Sequence, residues 1–165
     1  DKTSRWDLFA GLTLNDPYTV VYIMRYDVNA SYRGRMIDMR NTINRSQGQA
    51  YLLGGHDNKI GTSYQNGWIN YVPPMQNTEW VLGIEMPNRQ VRRGTVTTQW
   101  ADNSGGGSDH YSLVATINNF YMQESTDYNI AEIIYWNREL TESEINDMKS
   151  WLDSYAAGQI HTNYT

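Results

Sequence analysis

The sequence predicts an all-β fold of two packed antiparallel sheets, with one short α-helix near residues 142–157. Short segments alternate apolar and polar residues along most of the chain, as half-buried strands do. Gly, Asn, Asp or Pro separate these segments at intervals of about 8 to 14 residues, which is typical of an antiparallel sandwich. A length of 165 residues suits one domain with its own core, so residues 1–165 are expected to form a single domain.

Eight segments have the length and alternation of strands. They are residues 19–26, 34–41, 49–53, 67–71, 79–85, 90–99, 112–117 and 130–136. The breaks have physical causes, because Asn15-Asp16-Pro17 initiates a turn and Pro73-Pro74 cannot continue a central strand. Residues 101–110 are polar and contain three consecutive glycines, so they are expected to form a surface loop.

The predicted helix carries several start signals together. Thr141 can cap its first turn, Glu144 completes a capping box, and Leu140 with Ile145 forms a hydrophobic staple. Apolar residues follow at helical spacing, and Ala156-Ala157-Gly158 is expected to end the helix. The apolar face of this helix must therefore pack on another element.

Alternation gives the strand at 130–136 two apolar faces. One face carries Ala131, Ile133 and Tyr135, and the other carries Ile134 and Trp136. The first set is expected to face the core between the sheets. The second set needs a cover, which is the C-terminal helix, with Trp151 as the contact, a long loop, or another subunit.

Composition excludes several classes of protein. The chain has no Cys, which removes thiol catalysis, Cys-ligated metal sites and disulfides. Its net charge of −5 and its scattered basic residues disfavour nucleic-acid binding. No apolar run reaches the length of a membrane-spanning helix, so no membrane insertion is expected. The chain begins at Asp1, which indicates a processed chain or a piece of a larger one.

Two blocks of the sequence resemble a known family. The run from Ile130 to Ile145, with its Asn137-Arg138-Glu139-Leu140-Thr141 turn, is similar to the end of laminin-G-like domains of the concanavalin A-like lectin/glucanase superfamily. The block Tyr51-Leu52-Leu53-Gly54-Gly55-His56, followed by Tyr64 and Gly67-Trp68-Ile69, resembles the version found in phage tail, algal or marine virus and microbial surface proteins. The resemblance implies a two-sheet jelly roll that usually binds glycans or proteins.

The sequence departs from the enzymes of that superfamily. Their retaining glucanases carry Glu-x-Asp-x-x-Glu on one strand, which places two carboxylates on the same face about 5 Å apart. Here Glu132 is the only carboxylate of its strand, and five mostly apolar residues separate Glu79 from Glu85. The histidines have no metal-ligand spacing, and no Gly-x-Ser-x-Gly motif occurs. The sequence therefore predicts that the chain is not an enzyme.

Aromatic residues and polar loops are the candidate ligand-binding residues. Flat aromatic rings can stack on sugars, and polar strand ends are where a jelly roll gathers its binding loops. The candidates are His56, Asp57, Asn58, Tyr64, Trp68, Trp100, Asp102, Asn103, Asp109 and His110. For Trp68 and Trp80, which lie among apolar residues, a place in the core is the favoured alternative.

Three further features leave alternatives open. Asp57, Asp102 and Asp109 could hold Ca²⁺, as related lectins do, although they form no spaced ligand run, and no cofactor is certain. Asn29, Asn44 and Asn163 fit the N-glycosylation sequon, in about the number expected by chance. The arginines near residues 33–45 and 89–93 suit either a protein interface or ordinary surface charge.

Together these observations predict a non-catalytic carbohydrate-binding module on an extracellular or virion surface. Its expected partner is a glycan or surface glycoprotein. The alternative is a structural subunit of an extracellular filament, fibre or capsid decoration, whose partners are other subunits of the assembly.

Overall fold

The computed structural model describes residues 6–7, 17–30, 33–34, 36–41, 50–56, 59–61, 63–64, 68–69, 78–87, 89–104, 113–117 and 127–160. Two antiparallel sheets and a short hairpin make up most of this part of the chain. The strands are β1 (Trp6–Asp7), β2 (Thr19–Tyr26), β3 (Ile37–Asn41), β4 (Ala50–Leu53), β5 (Gly55–His56), β6 (Lys59–Ile60), β7 (Ser63–Tyr64), β8 (Trp68–Ile69), β9 (Val81–Met86), β10 (Arg89–Gly94), β11 (Ala101–Ser104), β12 (Leu113–Ile117) and β13 (Tyr128–Trp136). One helix, α1 (Glu142–Tyr155), follows them.

The strand order is β1-β12-β3-β4-β7-β8 in one sheet and β11-β10-β9-β2-β13 in the other, while β5 pairs with β6. Every neighbouring pair is antiparallel. The prediction of a mostly β, antiparallel fold with one C-terminal helix is therefore confirmed. No helix in the described ranges is both long and apolar enough to span a bilayer.

Strand β2 lies between β9 and β13 in the five-stranded sheet and is buried on both faces. Its inner face contributes Val20, Tyr22, Met24 and Tyr26 to a core shared with Met36 and Ile37 beside the six-stranded sheet. Its outer face contributes Val21 and Ile23 to a second core, which α1 covers through Ile145, Leu152 and Ala156. This double burial explains why β2 reads as a nearly continuous apolar run.

The edge strand β13 has the two apolar faces that its sequence predicts. Ile133 and Tyr135 pack against the inner core, while Ile134 and Trp136 pack against the outer core. The prediction is wrong for Ala131, which lies on the outer side. The register shifts between Ile130 and Glu132, and this irregularity breaks the alternation there.

Helix α1 begins as predicted, with Thr141 as its N-cap and a complete Thr141–Glu144 capping box. The predicted contact through Trp151 is wrong, because Trp151 is exposed and pairs with Tyr155 at a ring-centroid distance of 5.4 Å. The predicted stop also differs, since residues 156–160 continue as a wider π-type turn that includes Gly158. The helix therefore does cover the outer face of β13, but through the face that carries Ile145 and Leu152 and not through Trp151.

The ionised Glu144 carboxylate makes the stability of the fold depend on pH. Its hydrogen bond from Arg138 and those from Thr141 hold the pKa of Glu144 at about 2, below its ordinary value of 4.5. Because the pKa is lower in the folded chain, this stabilisation is complete above pH 4.5 and disappears as the pH falls toward 2. We expect Glu144→Gln to be less stable than the parent chain at pH 6 in urea unfolding, with the difference gone near pH 2. A difference that does not change with pH would contradict this account.

The predicted loop at residues 101–110 is wrong at its beginning. Residues 101–104 form β11, which pairs with Arg89–Arg92 of β10. Ala101 packs toward the inner core, and the polar side chains suit the edge of a sheet. The predicted strand at 90–99 is correspondingly too long, since β10 ends at Gly94 and the chain turns through residues 95–97.

Candidate functional site

The predicted ligand-binding residues have different outcomes. Asp57, Asn58, Asp109 and His110 lie outside the described residues, as do the sequon residues Asn44 and Asn163. Tyr64 and Trp68 are opposite each other on β7 and β8. The structure describes the surroundings of His56, Trp100, Asp102 and Asn103, and Asn29 lies in an exposed turn. The predicted burial of Trp80 is confirmed.

Trp100, Asp102 and Asn103 do not form one site. Trp100 belongs to the outer core, beside α1. Asp102 also lies on this side, since its carboxylate binds Arg89, which in turn binds Glu142 at the start of the helix. Asn103 is opposite Gln90 in the β10–β11 register, and alternation places it on the inner side.

The Arg89 guanidinium makes Asp102 part of a structural network. Its nitrogens lie 2.6 Å from Asp102 and 2.7 Å from Glu142. The hydrogen bond from Arg89 lowers the pKa of both carboxyls, so both stay ionised as ligands of the guanidinium. Asp102 thus joins β10, β11 and α1 through Arg89, and its role in ligand binding stays a prediction.

Trp100 has a fixed orientation at the end of the five-stranded sheet. Its indole Nε1 donates to Asp153 Oδ1 at 3.2 Å, and the Arg93 guanidinium lies over the ring, 5.6 Å from its centroid. Arg93 Nε also donates to Asp153, at 2.6 Å. The ring is half-buried and held by the helix, which leaves part of a rigid aromatic side chain accessible.

Two turns follow β2 and β10 at the same end of the five-stranded sheet, on either side of β9. Met24, Val81 and Gly94 form one row across β2, β9 and β10. The turn at residues 27–30 follows β2, and the segment at residues 95–99 follows β10 and leads to Trp100. We call these two turns, together with Trp100, the strand-end surface.

Buried Glu79 fixes the second turn of this surface. Its Oε2 accepts the backbone N–H of Val96 at 2.8 Å and that of Thr97 at 3.0 Å. The carboxylate also fills the space beside Gly94, where an added Cβ would lie 2.2 Å from Oε2. Charge-assisted hydrogen bonds to consecutive backbone amides hold a turn in one conformation.

The first turn is held in a similar way. Asp27 Oδ1 accepts the backbone N–H of Asn29 at 2.8 Å, and the Asp27 carbonyl accepts that of Ala30 at 3.1 Å. Val28 and Val96 project from the two turns with exposed fractions of 56% and 62%. Of the large apolar side chains exposed within the described ranges, only Trp151 lies elsewhere.

The inner face of the same sheet carries a buried polar group of three residues that the sequence interpretation did not identify. Tyr22 Oη donates to Glu85 Oε1 at 2.8 Å, and Arg92 Nε lies 3.1 Å from the same oxygen. Arg92 Nη1 donates to the carbonyl of Gly61. All three side chains are fully buried, and Arg93 is also buried, so ordinary surface charge, one of the two alternatives left open by the sequence, does not apply to either arginine.

Burial and the nearby Glu85 carboxylate raise the pKa of Tyr22 well above its usual value. Tyr22 is therefore a neutral donor to a carboxylate that Arg92 neutralises. Because all three groups are fully buried, solvent does not reach this cluster. Its role is therefore to stabilise the interior of the fold.

One sequence signal could have found this cluster. Glu85 lies between Ile84 and Met86 in a strand that is otherwise apolar, and a carboxylate in such a position needs a buried partner. The partner comes from the register, which places Arg92 opposite Gly83, two residues before Glu85.

Among the described residues, no group of three or more His, Asp or Glu side chains is placed to hold a metal ion. Asp102 is bound to Arg89, while Asp57 and Asp109 lie outside the described ranges. The Ca²⁺ expectation is therefore untested.

No protein-family model matches the chain, and no curated protein matches it. Among solved structures, the chain is similar to Trypanosoma rangeli sialidase in complex with sialic acid, at 15% identity and a TM-score of 0.47. It is also similar to the same sialidase in complex with the inhibitor DANA, at 14% identity and a TM-score of 0.43. These matches cover 83% and 81% of this chain but 23% and 22% of the sialidase.

The chain thus spans less than a quarter of the sialidase length, and a likeness this weak assigns neither a fold family nor an activity. It does overturn one prediction. The sequence predicted that the chain is not an enzyme, whereas the matched structures are those of a sialidase. The prediction of a non-catalytic chain is therefore withdrawn.

Proposed function

We propose that this chain is a concanavalin A-like, laminin-G-like jelly-roll domain that binds glycans on an extracellular or virion surface. The observation that carries the proposal is the strand-end surface. Two turns at the same end of the sheet are each fixed by a carboxylate, and the second of them leads to the half-buried Trp100. A rigid surface loses little conformational entropy on binding, which favours recognition of flexible sugars.

The side chains of this surface suit a sugar ligand. The turn at residues 95–99 carries Thr95 and Thr98, whose hydroxyls suit hydrogen bonds to a sugar, and Val28 and Val96 offer small apolar contacts. Trp100 adds a flat ring that can stack on the C–H face of a pyranose. Polar groups around one aromatic ring are a common arrangement in small-ligand sites.

The expected result is binding on a glycan array that is lost, or weakened at least about tenfold, in Trp100→Ala, since burying an aromatic contact contributes one to several kcal/mol. Val96→Arg should have the same effect by blocking the turn while leaving the core unchanged, because Val96 is exposed. The array is to be probed with and without Ca²⁺. Circular dichroism and thermal unfolding establish that each variant is folded.

Trp151→Ala is the matched control, because it removes an exposed tryptophan that lies on α1 and is not part of the strand-end surface. Binding that persists in Trp100→Ala and Val96→Arg would reject the strand-end surface as the site. A chain that binds no glycan under either Ca²⁺ condition would reject the proposed function.

A second candidate function, a subunit of a filament, fibre or capsid decoration, is supported by one observation. All nine residues of β13 are partly exposed, and in the described part of the chain β13 is an edge strand of its sheet. Apolar edge strands readily pair with other chains. Light scattering on the same array samples separates the two candidates, because a chain that stays monomeric at micromolar concentration contradicts self-assembly.

A further inference from the structure

We propose that Tyr22, Glu85 and Arg92 form a buried clamp that fixes the β5–β6 hairpin, and with it His56, against the inner face of the five-stranded sheet. This inference does not depend on the proposed function. It rests on the contact between the clamp and the base of the hairpin.

Two glycines with positive φ angles flank the β5–β6 hairpin. Gly54 has a φ of 85° and Gly61 has a φ of 72°, in the left-handed region that side chains disfavour. The Gly61 N–H donates to the Gly54 carbonyl at 2.8 Å, which closes the base of the hairpin. The chain bends at Gly54 before β5 and at Gly61 after β6. A small change in the dihedral angles of either glycine would therefore move the hairpin relative to the sheet.

The clamp contacts the base of the hairpin at Gly61. Arg92 Nη1 donates to the Gly61 carbonyl, and the Gly61 N–H donates to the Gly54 carbonyl. Glu85 joins Tyr22 to this contact, since it accepts from Tyr22 and pairs with Arg92. The three side chains therefore reach the base of the hairpin through the Arg92 guanidinium.

The base of the hairpin is packed so closely against the sheet that it can occupy only one position there. A Cβ added to Gly54 would lie 2.6 Å from Met24 Sδ, and one added to Gly55 would lie 2.6 Å from Tyr26 Oη. Ile60 is buried in the inner core. Beyond these contacts, His56 pairs with Lys59, whose side chain is exposed. The buried base therefore determines where the His56 imidazole points.

The test is amide hydrogen exchange measured by NMR in Tyr22→Phe and Arg92→Met. We expect exchange at Gly61 to accelerate roughly tenfold or more relative to the amides of β2, because the hairpin would open locally without global unfolding. The His56 ring signals, assigned with His56→Gln, should shift in both variants. Tyr22→Phe removes a single oxygen atom and is therefore the milder change. It can be measured even if Arg92→Met does not fold.

Arg93→Met is the matched control. Arg93 is the next residue of β10, is also buried, and points to the opposite side, where it binds Asp153 of α1. Its replacement should leave Gly61 exchange and the His56 ring signals unchanged relative to β2. The clamp is overturned if Gly61 and β2 accelerate by the same factor in Tyr22→Phe, or if the His56 signals do not move in either clamp variant.

Discussion

Replacement of Glu85 by leucine is expected to lower the free energy of unfolding by about 3–5 kcal/mol, because it leaves the Arg92 charge buried without its carboxylate. Both side chains have no exposed surface, so water cannot compensate for the loss. Tyr22 loses its acceptor in the same change. Urea unfolding at neutral pH, with the slope compared between variants, measures the difference.

The double variant Glu85→Leu/Arg92→Met gives the matching expectation. Replacing both charges with apolar side chains of similar volume is often nearly neutral, so most of the lost stability should return. Glu142→Gln is the exposed control, because it removes a carboxylate that pairs with Arg89 at the surface. A loss in Glu85→Leu no larger than that in Glu142→Gln would show that the buried pair contributes little.

Leu152→Ala is expected to lower the free energy of unfolding by about 2–5 kcal/mol, the usual range for a buried leucine. Leu152 is fully buried between α1 and the outer face of the sheet, together with Ile145 and Ala156. Its truncation leaves a cavity under the helix, which the surrounding strands cannot fill without moving. Urea unfolding followed by tryptophan fluorescence measures the loss.

The adjacent residue provides the control. Trp151 is larger than Leu152, but it is 38% exposed and packs on Tyr155 of the same helix. Trp151→Ala should therefore cost less than Leu152→Ala, despite the greater volume removed. The reverse order would restore the interpretation in which Trp151 is the main contact between helix and sheet.

Local signals predicted the helix well. Its start depends on Thr141 and Glu144, which are three residues apart, so the whole capping box is visible in a short stretch of sequence. The two faces of β13 were also predicted from alternation alone. The exception, Ala131, follows from a register shift against β2, and no property of β13 by itself indicates where that shift occurs.

Contacts between distant residues were not predictable in this way. Tyr22 and Glu85 are 63 residues apart, and Arg92 reaches them only through the β9–β10 register. The strand-end surface has the same origin. Trp100 was a candidate because of its position beside a polar stretch, but Val28 and Val96 carry no signal of their own. Their location at one end of the sheet follows from the row of Met24, Val81 and Gly94.

The hydrogen bonds of Thr19 also have a consequence for the time course of folding. Its hydroxyl donates to the Arg138 carbonyl at 2.8 Å and accepts the Leu140 N–H at 3.1 Å, so the first residue of β2 is secured by residues that follow it by 119 and 121 positions. Strand β13, one of the two neighbours of β2, is therefore among the later segments to be synthesised. Distant pairing of this kind slows folding and leaves an apolar edge open to aggregation until the partner arrives. During synthesis, β2 can pair with β9 early, but it must wait for β13 before the five-stranded sheet is complete.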